Sequence, residues 1–160
     1  MILSKKMSDA IDAQIKAEMW SSNLYLSMAV YFQKAGLNGF AHWMKKQAGE
    51  EMEHAHKFIN YTLDRGGDLQ IRQIDEVPTT WESPIAAFEH VYKHECYVSE
   101  LIDNLMNIAE DDKDHASRDF LFGFVREQVE EESSAKEILD QLKNYGECHL
   151  GIMDHKLGKR

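Results

Sequence analysis

Glu51 and His54, in the stretch AGEEMEHAHKF (48–58), stand where a core helix would carry Leu or Phe. A carboxylate and an imidazole at i and i+3 project from one helix face toward the same spot, as two ligands of a metal ion do. The Glu is able to bridge two ions and the His to hold one. Acids interrupt three further apolar runs: Glu18 in AEMWSSNLYLSM, Glu95 in VYKHE, and the series Glu127 to Glu131 in VREQVEEE.

These runs have helical period. Met7, Ile11, Ile15, Glu18, Ser22, Tyr25, Ala29 and Phe32 step by three and four, predicting one helix from Ser4 to Ala35, stopped at Gly36. Phe40, Met44, Gln47, Glu51, His54, Phe58 and Tyr61 predict a second from about Gly39 to Arg65, and so short a link makes the two antiparallel neighbours. Ser83-Pro84 opens a third, as cap and first helical residue. It carries Ile85, Phe88, Tyr92, Glu95, Ser99, Ile102 and Met106 to about Glu110. A fourth is expected from about Arg118, with Phe120, Phe124, Glu127, Glu131, Ala135, Ile138 and Leu142, ending near Tyr145-Gly146. The irregular segment between Gly67 and Trp81 reaches roughly 50 Å, enough to run the length of a bundle whose helices measure about 40 Å. The fold expected is all-α: a single domain over 1–160, with a four-helix bundle at about 4–145, one long crossover, and a short fifth helix at about 147–157 that must dock on its own bundle or on neighbouring copies.

Each acidic break lies near the middle of its helix, so all four meet at one height whichever way the helices run. Carboxylates gathered in an apolar interior repel and lose hydration, and no Lys or Arg shares their stripes. The balancing charge is a metal, and oxygen ligands with one imidazole suit six-coordinate Fe(II), in two sites rather than one. His42, His56, His90 and His94 fall off the inward stripes and are expected at the surface.

The formal charge of −10 in 160 residues argues against a nucleic-acid partner and for cations. Cys96 and Cys148 form no metal or disulfide pattern. MILSKKMSDAIDAQ carries no apolar leader core and no run is long enough to span a membrane, so a cytoplasmic protein is expected.

As a set, AEMWSSNLYLSM, GEEMEHAHKF, VYKHE and VREQVEEE, followed by a short helix, resemble the bacterial non-haem ferritins from about Lys5 onward. The resemblance implies a ferroxidase, an iron-storage cage of 24 subunits that oxidises Fe(II) with O₂ or peroxide and stores ferric mineral. By motif, Glu18, Glu51 and His54 match the ligands of a first iron. Glu51 would bridge to a second held by Glu95 and Glu131, with Gln128 close by, and Glu50, Glu127 and Glu130 match a third site to which Glu131 also contributes. Tyr25 matches a tyrosine beside the iron pair, either an electron donor or a core residue. The fifth helix would line a fourfold axis. Arg118 and Leu121 stand where animal ferritins place acids at the threefold channel, leaving a passage through the bundle as the alternative iron route. Met52 lies where haem-binding relatives use an axial methionine, but Glu127-x-x-Glu130 replaces their second Glu-x-x-His, so no haem is expected. A di-iron enzyme acting on another substrate, a DNA-protecting mini-ferritin and a purely structural bundle are the competing readings. The first lacks a cysteine-rich module here, the second builds its site between subunits, and the last leaves the acids unexplained.

Overall fold

Serine and proline punctuation starts the helices where the sequence predicts. In the computed structural model, which describes residues 2–160, α1 spans Lys5–Lys34, α2 Asn38–Asp64, α3 Pro84–Asp111, α4 His115–Tyr145 and α5 Leu150–Leu157, the last preceded by a single 3-10 turn. The Ser4 hydroxyl accepts from Met7 N at 3.1 Å and that of Ser83 from Ala86 N at 3.0 Å, each satisfying an amide that the first turn leaves open. α4 begins earlier than the apolar pattern predicts. Asp114 accepts from Ser117 N at 3.1 Å and from Arg65 Nη2 at 2.9 Å, so a charged cap, rather than the first apolar residue, sets the start.

α1 packs along α2 and α3 along α4, with α1 also against α3. All eight predicted stripe residues of α1 are buried. On α3 the face is rotated from expectation. Val91, Val98 and Leu105 are buried beside Phe88, Glu95 and Ile102, whereas Tyr92, Ser99 and Met106 are only half-buried.

Segment 65–83 is the crossover, and α1 fixes its course. The Asp12 carboxylate accepts from Gln70 N at 3.3 Å, Lys16 pairs with Asp75 at 2.8 Å, Trp20 Nε1 donates to Glu76 O at 3.2 Å, and Ser27 Oγ donates to Pro78 O at 2.5 Å. The loop therefore advances along α1 from its first turns to its last, which starts α3 beside the end of α1, parallel to α2 and antiparallel to α1, and sets Glu95 opposite Glu18.

Two apolar clusters fill the bundle. One holds Phe32, Phe40, Phe88 and Leu142 at one end, and the other Ile11, Ile15, Phe58, Ile102 and Phe124 at the opposite end. Glu18, Glu51, His54, Glu95 and Gln128 are buried polar residues lying between them in sequence on each helix.

α5 packs beside its own bundle through Met153 and Leu157. Leu37 offers α2 no side-chain cap; instead Asp154 Oδ1 accepts from Gly39 N at 2.7 Å and Phe40 N at 3.0 Å. A Cβ at Gly39 would stand 1.7 Å from Asp154 O. Gly39→Ala is therefore expected to expel α5 and remove a cap worth about 1 kcal/mol. Hydrogen exchange should show rapid exchange of the α5 amides with the four long helices still protected, and unchanged protection of α5 would mean that the two segments separate without cost.

Candidate metal centre

Glu18 arrives from α1 and Glu51 with His54 from α2, each offering a ligand atom within 4.8 Å of the others. His54 Nδ1 lies 3.4 Å from Glu51 Oε2 and 3.8 Å from Glu18 Oε2, and its Nε2 lies 3.1 Å from Glu127 Oε2. All three cluster residues are buried. Gln14 Nε2 donates to Glu18 Oε1 at 2.7 Å and fixes that carboxylate, while Glu18 Oε2 has no hydrogen-bond partner. A buried carboxylate oxygen without a donor is costly and suits an approaching cation. Hard oxygen donors with one imidazole fit Fe(II).

Burial pushes the Glu51 carboxyl well above its usual range, and the Glu18 and Glu95 charges add to this while His54 opposes it. For His54, burial favours the neutral ring, but the Glu18 and Glu51 carboxylates beside it, at 3.8 and 3.4 Å, outweigh it, raising the imidazole to about 10. Without a metal the cluster therefore retains protons that a cation would displace.

Glu95 faces this group from α3. Burial and the charges of Glu131 and Glu18 raise its carboxyl to about 7, against the hydrogen bonds of Tyr25 and Gln128. The Tyr25 hydroxyl donates to Glu95 Oε1, and Gln128 Nε2 lies 3.3 Å from both Glu95 Oε2 and its backbone oxygen. Gln47 Nε2 donates to Glu131 Oε2 at 2.9 Å. Gln128, not Glu127 or Glu131, is the fully buried residue of EQVEEE, because it shares the face of Phe124 and Ala135. Among the described residues only Glu18, Glu51 and His54 close to ligand distances, so Glu95 and Glu131 stand outside that group.

Glu50, Glu127, Glu130 and Glu131 line a cleft of about 340 Å³ with Gln47, between α2 and α4. Two are already paired: Lys57 lies 3.4 Å from Glu127 Oε1, and Arg160 Nη2 donates to Glu50 Oε2 at 2.6 Å while its guanidinium sits over Trp43. Nothing in the sequence pattern signals Arg160, which reaches the cleft only because α5 folds back.

One expectation is corrected. His94 is buried, not at the surface: its ring packs against Trp20, and burial together with His90 lowers it to about 4. It lies on the α1-facing side of α3, which the rotated face brings inward. Leu121 is core, at 1% exposure, and Arg118 pairs with Glu110 at 3.5 Å.

An up-down-down-up bundle with one long crossover and a carboxylate–imidazole group at mid-height is a ferritin-like structure. The chain belongs to the ferritin family: the ferritin-like domain matches residues 8–145. It is 53% identical over 159 residues to the bacterial non-heme ferritin of Bacteroides fragilis, covering 99% of this chain and 100% of that one. The bacterial non-heme ferritin of Staphylococcus aureus is 34% identical over 161 residues, 99% of this chain and 97% of its own. The open pore ferritin of Archaeoglobus fulgidus superposes with a TM-score of 0.97 at 45% identity, covering 99% and 98% of the two chains.

Proposed function

We propose that this protein stores iron, taking up Fe(II), oxidising it with O₂ at a paired site inside each bundle, and holding the ferric product within a 24-subunit cage in the cytoplasm. The observation that carries this reading is the buried Glu18, Glu51 and His54 group, with ligand atoms within 4.8 Å and an unbonded Glu18 oxygen. Iron is the substrate and cargo, and no haem is needed.

Glu18, Glu51 and His54 hold the first Fe(II), with Glu51 shared toward a second held by Glu95 and Glu131. Gln14, Gln47, Tyr25 and Gln128 orient those carboxylates through the hydrogen bonds described above. Anionic oxygen ligands stabilise Fe(III) more than Fe(II), so the ligand set itself favours the oxidation. Two ferrous ions together supply two electrons to O₂. Glu50, Glu127 and Glu130 form a third, outer site, which an iron gains by displacing Arg160 from Glu50 and Lys57 from Glu127. Tyr25 is a one-electron donor beside the pair.

Sedimentation after aerobic addition of Fe(II) in large excess over two per chain tests this. Most of the iron is expected to travel in a soluble particle far larger than a monomer. About two irons per chain on a small species, with the rest precipitated, would instead indicate a di-iron enzyme with another substrate.

A further inference from the structure

Aromatic rings continue outward from the cluster on the side away from the Arg160 cleft. Tyr25 is fully buried, hydrogen-bonded to Glu95, and its ring centroid lies 6.3 Å from that of His94 at an angle of 77°. His94 in turn lies 5.4 Å from Trp20 and 6.4 Å from Tyr97. These last three residues, with Lys16 and Asp75, line a cleft of about 490 Å³ between α1, α3 and the crossover. Tyr97 is 52% exposed.

The His94 ring is held in place. Ser21 Oγ donates to Ala17 O at 2.9 Å, so at the 2.7 Å contact with His94 Nε2 it is the serine that accepts and the imidazole N–H that donates. One buried ring thus keeps fixed ring-to-ring contact with the phenol beside the carboxylates and with two oxidisable side chains at a surface cleft. Packing alone would be served by Leu or Phe at these positions, which would need no serine partner in the core.

We propose that Tyr25, His94 and the pair Trp20 and Tyr97 form a one-electron relay, which carries oxidising equivalents from the carboxylate cluster to the α1–α3 surface for discharge by a small-molecule reductant. The inference rests on the iron-oxidising role assigned to the cluster. The relay matters when hydrogen peroxide meets a site holding a single Fe(II). Reduction of H₂O₂ to two waters takes two electrons and two protons. Fe(II) supplies one electron and becomes Fe(III). Tyr25 supplies the other, its phenolic proton passing for the time being to the Glu95 carboxylate that accepts its hydrogen bond, and both protons consumed by the peroxide come from solvent. The neutral Tyr25 radical then takes an electron, through the contact with His94, from Trp20 or Tyr97, and regains its proton from Glu95. Tyr97, 52% exposed, releases its own phenolic proton to water, and ascorbate restores it by donating one hydrogen atom. The hole is thereby removed from buried core residues, where it would cause damage.

The test loads the assembled protein anaerobically with one Fe(II) per chain, adds equimolar H₂O₂ with a nitroso spin trap, and maps trapped adducts by peptide mass spectrometry alongside freeze-quench electron paramagnetic resonance. Adducts are expected on Tyr97 and Trp20. Tyr97→Phe with Trp20→Phe should abolish those adducts and lengthen the life of the Tyr25 radical, leaving aerobic Fe(II) oxidation unchanged. Tyr97→Phe alone, at an exposed position that folding does not need, should shift the adduct to Trp20. Tyr25→Phe should abolish surface adducts altogether. Surface adducts that persist in Tyr25→Phe, or a radical lifetime unaltered in the double variant, would overturn the relay while iron oxidation continued. If the unmodified protein fails to oxidise Fe(II), the assigned role of the cluster falls and the relay with it.

Discussion

Glu51→Gln is expected to abolish rapid Fe(II) oxidation while leaving the apoprotein at least as stable as before. The two effects have one origin. Glu51 is buried, 3.4 Å from His54 and within the fields of Glu18 and Glu95, and its carboxyl is raised well above the usual range because the fold disfavours its charge. A neutral amide of the same shape removes that penalty and keeps the side chain's volume. It also removes the anionic oxygen proposed to be shared between two irons. Residues that only orient a ligand typically cost ~10–100-fold when replaced, so loss of this ligand should slow initial oxidation by at least about 100-fold. Stopped-flow absorbance after mixing Fe(II) with aerated protein gives the rate, and thermal denaturation of the metal-free protein gives the stability. A large drop in both would mark Glu51 as a structural residue, and undiminished oxidation would remove it from the site. Glu95→Ala should likewise lose rapid oxidation with assembly intact, whereas Glu130→Ala, at an exposed position of the outer cleft, should leave the initial phase nearly unchanged.

The sequence shows Glu18, Glu51, His54 and Glu95 clearly because each breaks an apolar period at mid-helix, and a mid-helix position keeps its height whatever the direction of the chain. Periodicity is weaker at deciding which of two neighbouring positions faces inward. On α3 the expected stripe through Tyr92, Ser99 and Met106 is one position away from Val91, Val98 and Leu105, which are the buried ones. A helix that packs on two neighbours buries an arc wider than one stripe. The same width explains His94: it lies off the line through Glu95 yet inside the arc facing α1. In EQVEEE, four carboxylates obscure the amide Gln128 that occupies the inward position. Contacts that depend on distant segments meeting have no local signature at all. Asp154 capping α2, Gly39 making room for it, and Arg160 reaching Glu50 arise only once α5 has folded back. The crossover course is intermediate: its length permits an end-to-end run, but the bonds to Asp12, Lys16, Trp20 and Ser27 that fix it are tertiary.

A metal-free sample is expected to lose stability steadily as pH rises from about 5, and a redox-inert divalent cation should restore it most at the alkaline end. The Glu95 carboxyl titrates at about 7 in the fold, against 4.5 ordinarily. Between those values the unfolded chain has released a proton that the native chain still holds. Stability therefore falls with pH across that window, by roughly 3 kcal/mol for this one group. Glu51 and Glu131 are also raised and act in the same direction. His54 is held at about 10 rather than 6.5, so its stabilisation is complete below 6.5 and is lost as pH climbs toward 10. Asp114, lowered in the fold chiefly by its bond to Arg65 against the effect of burial, gives the opposite slope, but only at the acid end. A cation takes the place of the retained protons. Zn(II) at 100 times its Kd adds about 2.7 kcal/mol, and its apparent affinity grows with pH because the ligands must be deprotonated to bind it. Urea denaturation at pH 5.5 and 8, with and without Zn(II), should show a small cation effect at the lower pH and a large one at the higher. Glu95→Gln should flatten the metal-free profile between 4.5 and 7, whereas Glu18→Gln with Glu51→Gln should remove most of the Zn(II) effect. A cation effect that is the same at both pH values, or that survives the double substitution, would place the bound ion at the surface acids and leave the buried group without a metal.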